Sequence, residues 1–232
     1  MLGEKCGAKF ADEVIVLSEG VHQYFLDTYG RETHFIPNGV NKPNIREAKI
    51  IKDKFGLEKD DYILYLGRLV PEKGIKYLIK AFKNVKTDKK LVIASGSSDT
   101  DVFAQELKEL AKDDPRIIFT GFVHGKILEE LYSNAYVYTL PSDLEGMPLS
   151  LLEAMSFGNC CLVSNIEECA SVVEDKAITF KKSDVSNLQD KLQKACDDKE
   201  LVQKYKDEAA DFIFKKYNWD NVVEETLKLF KE

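Results

Sequence analysis

A regular alternation of short apolar runs with stretches of helical spacing most narrows what this chain can fold into. YILYL at 62–66 is continuously apolar, as a strand buried on both faces must be. From Gly74 onward the period changes, and Ile75, Leu78, Ile79, Phe82 and Val85 recur at helical spacing with lysines between them. The exchange repeats along the chain. Residues 14–17, 34–36, 91–94, 117–119, 136–140, 160–164 and 177–180 read as further strands. Val21, Tyr24, Phe25 and Thr28 mark one helix between them, and Phe103, Leu107, Leu110 and Ala111 mark another. Pro37-Asn38-Gly39 is a turn, and residues 41–61 read as a polar connection with a short helix. The chain is helical and highly charged from about Leu188, and Val222, Val223, Leu227 and Phe230 form an apolar stripe on its last helix. Strand, helix and strand at this regularity imply βαβ units. The fold class expected is therefore α/β, a Rossmann-like parallel sheet with helices on both faces. Ligands of such sheets bind at the carboxyl ends of the strands. Chemistry is thus to be sought in the loops after Leu66, Ala94, Phe119 and Leu140.

Composition removes several alternatives. At 232 residues the chain makes one large domain or two small ones. Its 33 Lys and Arg stand against 40 Asp and Glu, a net charge of −7, which argues against a general nucleic-acid binder but leaves room for a local basic pocket. No apolar run is long enough to span a membrane, and the opening MLGEKCGAKF lacks the apolar region of a signal peptide. Five cysteines without a CxxC pair, and three histidines, give neither a zinc pattern nor a disulfide framework. A reducing cytoplasmic setting follows, at most peripheral to the inner face of a membrane. No GxGxxG or P-loop spacing occurs.

Three loops carry unusual residues. In Gly67-Arg68-Leu69-Val70-Pro71-Glu72-Lys73-Gly74, two cations sit at the start of a helix, where unpaired N–H groups and the helix dipole attract anions. The segment reads as a phosphate cradle. It reads also as a surface loop whose cations pair with nearby acids, the commoner fate of Lys and Arg. In SDLEGMPLSLLE at 142–153, Pro148 suits the first turn of a helix and Gly158 falls just past its end. The N–H groups of Gly146, Met147, Pro148 and Leu149 would then form a second anion-friendly nest. Glu145 precedes this helix and Glu153 lies two turns inside it, among Leu149, Leu152 and Met155. A carboxylate there needs a partner, either a ligand hydroxyl or water on a solvated face. In Gly121-Phe122-Val123-His124-Gly125-Lys126, Val123 and His124 could wall a ligand, or be ordinary loop residues. Asp99-Thr100-Asp101 is a DxD in an Asp-rich chain, at a place where helix caps are ordinary. Cys160-Cys161 reads as core.

Taken together, the spacing Glu145-x7-Glu153, GRLVPEKG at 67–74, IPNGV at 36–40, PSDLEGMPLSLLEAMSFG at 141–158 and ADEVIVLSE at 11–19 resemble the large retaining glycosyltransferase family of GT-B fold, family 4. That resemblance runs in order along nearly the whole chain. It implies two Rossmann-like domains facing across a cleft, of which residues 41–215 are the nucleotide-sugar-binding domain. Residues 1–40 would be the end of the acceptor domain with the hinge, and residues 216–232 a crossover helix. It implies that Arg68 and Lys73 hold a donor diphosphate and that Glu153 accepts from the ribose. Glu145 would face the transferred sugar, the backbone from Gly146 to Leu149 would bind sugar or phosphate oxygens, and Val123 and His124 would line the base. The donor implied is a UDP-, GDP- or ADP-sugar, with no metal and no other cofactor required. The implied transfer retains configuration without a protein nucleophile.

Departures from the family pattern are Gly96 standing alone where two glycines are usual, Glu167, Glu168 and Ser171 in place of a Pro-Gly and Glu, and Asp175-Lys176 where a glycine is frequent. No room remains for a full acceptor domain, so the expectation is a fragment or a half-enzyme, inactive without an acceptor-binding domain or subunit. Homodimerisation through the last helix is a further option. The alternative function is a non-catalytic nucleotide-sugar-binding or partner-docking module. A sugar-nucleotide epimerase on the same fold is disfavoured by the E-x7-E spacing.

Overall fold

The computed structural model describes residues 2–96 and 101–230. Its first part is a helix α1 (Leu2–Phe10), a strand β1 (Ile15–Val16), a helix α2 (Glu19–Tyr29) and a strand β2 (His34–Phe35) that pairs parallel to β1. Ser18 caps α2 by accepting from the N–H of Val21, and Gly30 ends it at φ +61. Tyr24 and Tyr29 of α2 both donate to Glu4 of α1. Helix α1 has no signature in the sequence, because Gly3 and Gly7 interrupt it and it carries no apolar stripe.

The main body begins with helix α3 (Ile50–Phe55). Its first turn has no local side-chain cap. Glu130, 4% exposed, accepts instead from the N–H groups of Lys49 and Ile51 at 3.0 Å each. Strand and helix then alternate: β3 (Tyr62–Arg68), α4 (Ile75–Phe82), β4 (Lys90–Gly96), α5 (Asp101–Ala111), β5 (Ile117–Gly121), α6 (Lys126–Asn134), β6 (Val137–Leu140), α7 (Leu149–Ser156), β7 (Cys160–Ser164), α8 (Glu167–Val173) and β8 (Ile178–Phe180). Helices α9 (Val185–Asp197), α10 (Lys199–Lys216) and α11 (Trp219–Lys228) complete the described chain. The six strands from β3 to β8 form one sheet in the order β5-β4-β3-β6-β7-β8, every neighbouring pair parallel. This is the doubly wound arrangement expected, with α4 against α5 and α9, and α7 against α10.

Burial explains the strand pattern. Tyr62, Ile63, Leu64 and Tyr65 of β3 are fully buried, as is every residue of β7. Each such aliphatic side chain contributes roughly 1.5–3 kcal/mol on leaving water. Cys160 and Cys161 are core residues of β7, and burial pushes the Cys160 thiol up to about 12. Helix α11, by contrast, buries none of its residues, and Trp219, Val223 and Leu227 stand between 41% and 51% exposed. Among the described residues no helix is long and apolar enough to cross a membrane.

Candidate functional site

Neighbouring strands β3 and β6 send the chain in opposite directions. After β3 it passes to β4, and after β6 to β7. Their loops therefore diverge above the carboxyl edge and leave a crevice. The loop after β4 includes Asp99 and Thr100 of the DxD, which lie outside the described residues.

Strand β3 runs farther than its apolar core. Gly67 and Arg68 continue the ladder opposite Ser95 and Gly96, so Arg68 is the strand's last residue rather than part of the loop. The Tyr65 hydroxyl donates to the Arg68 carbonyl at 2.9 Å and holds this end in place. Arg68 is exposed, and its guanidinium has no ion pair among the described residues. Pro71–Lys73 then forms one 3-10 turn, closed by Gly74 at φ +68. A Cβ on Gly74 would lie 2.0 Å from the Pro141 carbonyl oxygen. Glycine is thus what allows the loop after β3 to touch the loop after β6. Three hydrogen bonds tie the same loops down. The Asp143 N–H donates to the Glu72 carbonyl at 2.8 Å, the Tyr77 hydroxyl to Asp143 Oδ2 at 2.9 Å, and the Ser183 hydroxyl to Asp143 Oδ1 at 2.6 Å.

This contact brings Lys73 onto Glu145. Their Nζ and Oε1 atoms are 2.6 Å apart, with side chains 16% and 6% exposed. The buried Ser142 hydroxyl donates to the same Oε1 at 2.6 Å, and Ser164 donates to the Ser142 carbonyl. Lys73 is therefore not a free cation here. Its charge is neutralised by the second candidate loop, a pairing that a sequence separation of 72 residues conceals.

The backbone nest is smaller than the sequence suggested. Pro148 sits at the cap of α7, ahead of its first turn, and has no N–H to offer. The Leu149 N–H is spent on the Met147 carbonyl at 2.9 Å. Gly146 and Met147 keep N–H groups without a partner among the described residues. The Met147 sulfur accepts from the Asn38 N–H at 3.2 Å, which links this loop to the turn at 37–39. A cavity of about 160 Å³ opens beside it, walled by Gly146, Met147, Glu167, Glu168, Leu17 and Phe35.

Glu153 turns away from the core. Leu151, Leu152, Ala154 and Met155 are fully buried, whereas Glu153 is exposed. Its carboxylate faces a cavity of about 370 Å³ with walls that include Tyr132, Phe157 and Trp219. The Tyr132 hydroxyl donates to Glu153 Oε2 at 3.1 Å, and desolvation against these walls raises the carboxyl above its usual 4.5. Val123 and His124 lie in the loop between β5 and α6. Val123 packs on the edge of the core, and His124 is exposed beside the Phe122 ring, 5.7 Å between centroids. Strand β5 is two strands from β3, roughly 10 Å along the sheet. No hydrogen bond or ion pair joins these two residues to Lys73, Glu145 or Glu153 among the described residues.

Comparison with known proteins gives three findings. The family model described as Glycosyl transferases group 1 matches residues 47–212. An uncharacterised glycosyltransferase of Methanocaldococcus jannaschii is 30% identical over 233 residues, covering 94% of this chain and 60% of the relative. The O-antigen chain mannosyltransferase B of Escherichia coli is 28% identical over 198 residues, 80% of this chain and 49% of its own length. The chain thus spans less than two thirds of these relatives. Among solved structures, Anabaena HepE in complex with UDP and glucose superposes with a TM-score of 0.89 at 17% identity, over 99% of this chain and 66% of that one.

Proposed function

Since the chain belongs to the glycosyl transferases of group 1, we propose that it is the donor-binding half of a retaining enzyme that uses a nucleotide-diphosphate sugar. In this reading residues 41–215 hold the donor. Residues 1–40 are the end of a preceding acceptor domain, and residues 216–232 cross back towards it. The observation that carries the reading is the meeting of Lys73 with Glu145 at the crevice between β3 and β6, with Arg68, which has no ion pair among the described residues, on the same edge.

The chemistry follows from those groups. Breaking the glycosidic bond of a nucleotide sugar leaves a diphosphate on which negative charge grows. Arg68, Lys73 and the N–H groups of Gly146 and Met147 stabilise that charge from fixed positions. Arrival of the diphosphate gives Lys73 an alternative partner to Glu145. The carboxylate released faces the sugar hydroxyls, while Ser142 keeps it oriented. Glu153 accepts from the ribose hydroxyls, and Val123 and His124 line the base. The acceptor attacks from the face the diphosphate leaves, so configuration is retained without a protein nucleophile. The cations supply the charge stabilisation, and the reading asks for no metal. HepE was solved with UDP and with UDP-glucose, which makes UDP the first nucleotide to try. The mannosyltransferase relative acts on an O-antigen chain, which supports a polysaccharide setting.

Calorimetric titration with UDP, GDP and ADP, then with their sugars, tests the reading. Selective binding of one nucleotide is expected. Removing both cations in Arg68→Ala, Lys73→Ala should cost on the order of 2–4 kcal/mol of affinity, and Glu153→Ala should weaken binding as well. Unchanged affinity in the double variant would overturn the assignment of the cradle.

A further inference from the structure

At the opposite edge of the sheet, where β3, β4 and β6 begin, lies a second concave site unrelated to the crevice. It is a cavity of about 320 Å³ lined by Asp60, Lys89, Tyr136, Lys199, Gln203 and Lys206, with Val202 at its base. The charge balance is unusual for a chain of net −7: three ammonium groups and one carboxylate leave two positive charges in a single pocket.

Two of these lysines are fixed. Lys89 donates to the Asp60 carbonyl at 2.7 Å and lies 3.7 Å over the centre of the Tyr136 ring. Lys206 pairs with the Asp60 carboxylate and donates to the Ala135 carbonyl at 2.8 Å. Tyr136 is itself anchored, its hydroxyl donating to the Ala195 carbonyl at 2.8 Å. Lys199, at the first residue of α10, is exposed and has no ion pair or hydrogen bond among the described residues. The Asp198 side chain caps that helix by accepting from the Leu201 N–H. Burial lowers the pKa of Lys89, against the opposing pull of Asp60 and Asp61.

We propose that this pocket binds the phosphate group of a small phosphate monoester, with Lys89 and Lys199 as its donors; the Gln203 amide, which donates to Asp207 Oδ1 at 2.6 Å, borders it. A monoester carries about −1.5 to −2 charge at neutral pH, which matches the net charge of the pocket lining. Lys206 is already committed to Asp60 and shapes the wall. The Tyr136 face is occupied by Lys89, so the site recognises charge rather than stacking a ring. The volume exceeds what orthophosphate needs and lies at the lower end of small-molecule sites, which favours an ester over the free ion.

Calorimetry in phosphate-free buffer tests this, with glycerol 3-phosphate in one arm and inorganic phosphate in the other. The expected result is one saturable site that binds the ester more tightly than the free ion. Lys199→Glu is the discriminating variant. A glutamate in the first turn of a helix is favoured by the dipole, so its melting temperature should be kept, while affinity for the ester should fall by about tenfold or more. The variant Arg68→Ala, Lys73→Ala should still bind the ester. Absence of saturable binding, full affinity in Lys199→Glu, or loss confined to the Arg68 and Lys73 variant would each overturn the proposal, the last by moving the anion to the donor crevice. Orthophosphate binding as tightly as the ester would overturn the preference for a monoester.

Discussion

The Lys73–Glu145 pair can be weighed by a double-mutant cycle. At 2.6 Å the gross attraction of two unit charges is about 6 kcal/mol at an effective dielectric of about 20. Desolvating the ions takes back several kcal/mol. With side chains 16% and 6% exposed, the pair lies between the exposed class, worth up to about 1 kcal/mol, and the buried class, where losing one partner costs about 3–5 kcal/mol. Glu145→Gln keeps the shape and the Ser142 hydrogen bond but strands the ammonium. Lys73→Met keeps the stem but strands the carboxylate. Each should lower unfolding free energy by roughly 2–4 kcal/mol, and the double variant by less than their sum. The coupling energy should be roughly 1–3 kcal/mol. Urea unfolding at neutral pH measures all four corners of the cycle. The same variants separate stability from binding, because the ion pair competes with the diphosphate for Lys73. Affinity for UDP should stay level or rise in Glu145→Gln and should fall in Lys73→Met. A coupling below about 0.5 kcal/mol would place the pair in the exposed class and refute the claim that a desolvated contact joins the two loops.

Two other expectations concern single residues. Gly74→Ala should cost more than about 2 kcal/mol, since a left-handed backbone alone costs about 1–2 kcal/mol and the added carbon meets the Pro141 oxygen at 2.0 Å; Gly20→Ala, in helix α2 with nothing within 4 Å, should instead be neutral or stabilising in the same thermal melts. Glu153 has a folded pKa above its usual 4.5, so its contribution to stability is complete below that value and is lost as pH rises through the raised one. Nucleotide affinity should move the other way, rising with pH as the carboxylate forms, and calorimetry of Glu153→Gln should show this dependence flattened.

Much of the sheet could be read from sequence because parallel strands buried on both faces leave continuous apolar runs. YILYL at 62–66 and CCLVS at 160–164 are of this kind, and both are core strands. Helix α1 left no such trace, having two glycines and no apolar stripe. The site was legible to the extent that its residues cluster in sequence: GRLVPEKG and SDLEG do lie at the divergence of β3 and β6. What joins them was not legible. Ser142 could have been suspected from its place three residues before Glu145, but Tyr132 beneath Glu153 and Tyr77 beneath Asp143 come from other helices. The Leu149 N–H is not open to a ligand, because a local turn onto the Met147 carbonyl claims it, and sequence does not reveal that turn. The cap of α3 by Glu130, about eighty residues away, is of the same long-range sort.

The segment entering the six-stranded body and the segment leaving it are bonded to each other. The Val40 N–H donates to the Tyr217 carbonyl at 2.8 Å, Val40 bridges to Asn218 in parallel, and a Cβ on Gly39 would meet Trp219 at 2.8 Å. A single covalent tether would let whatever lies before Val40 swivel about any axis. Two tethers held side by side resist torsion and leave bending about one line as the soft motion. The start of α11 and the chain at residues 39–40 are thereby held to one another where both join the body.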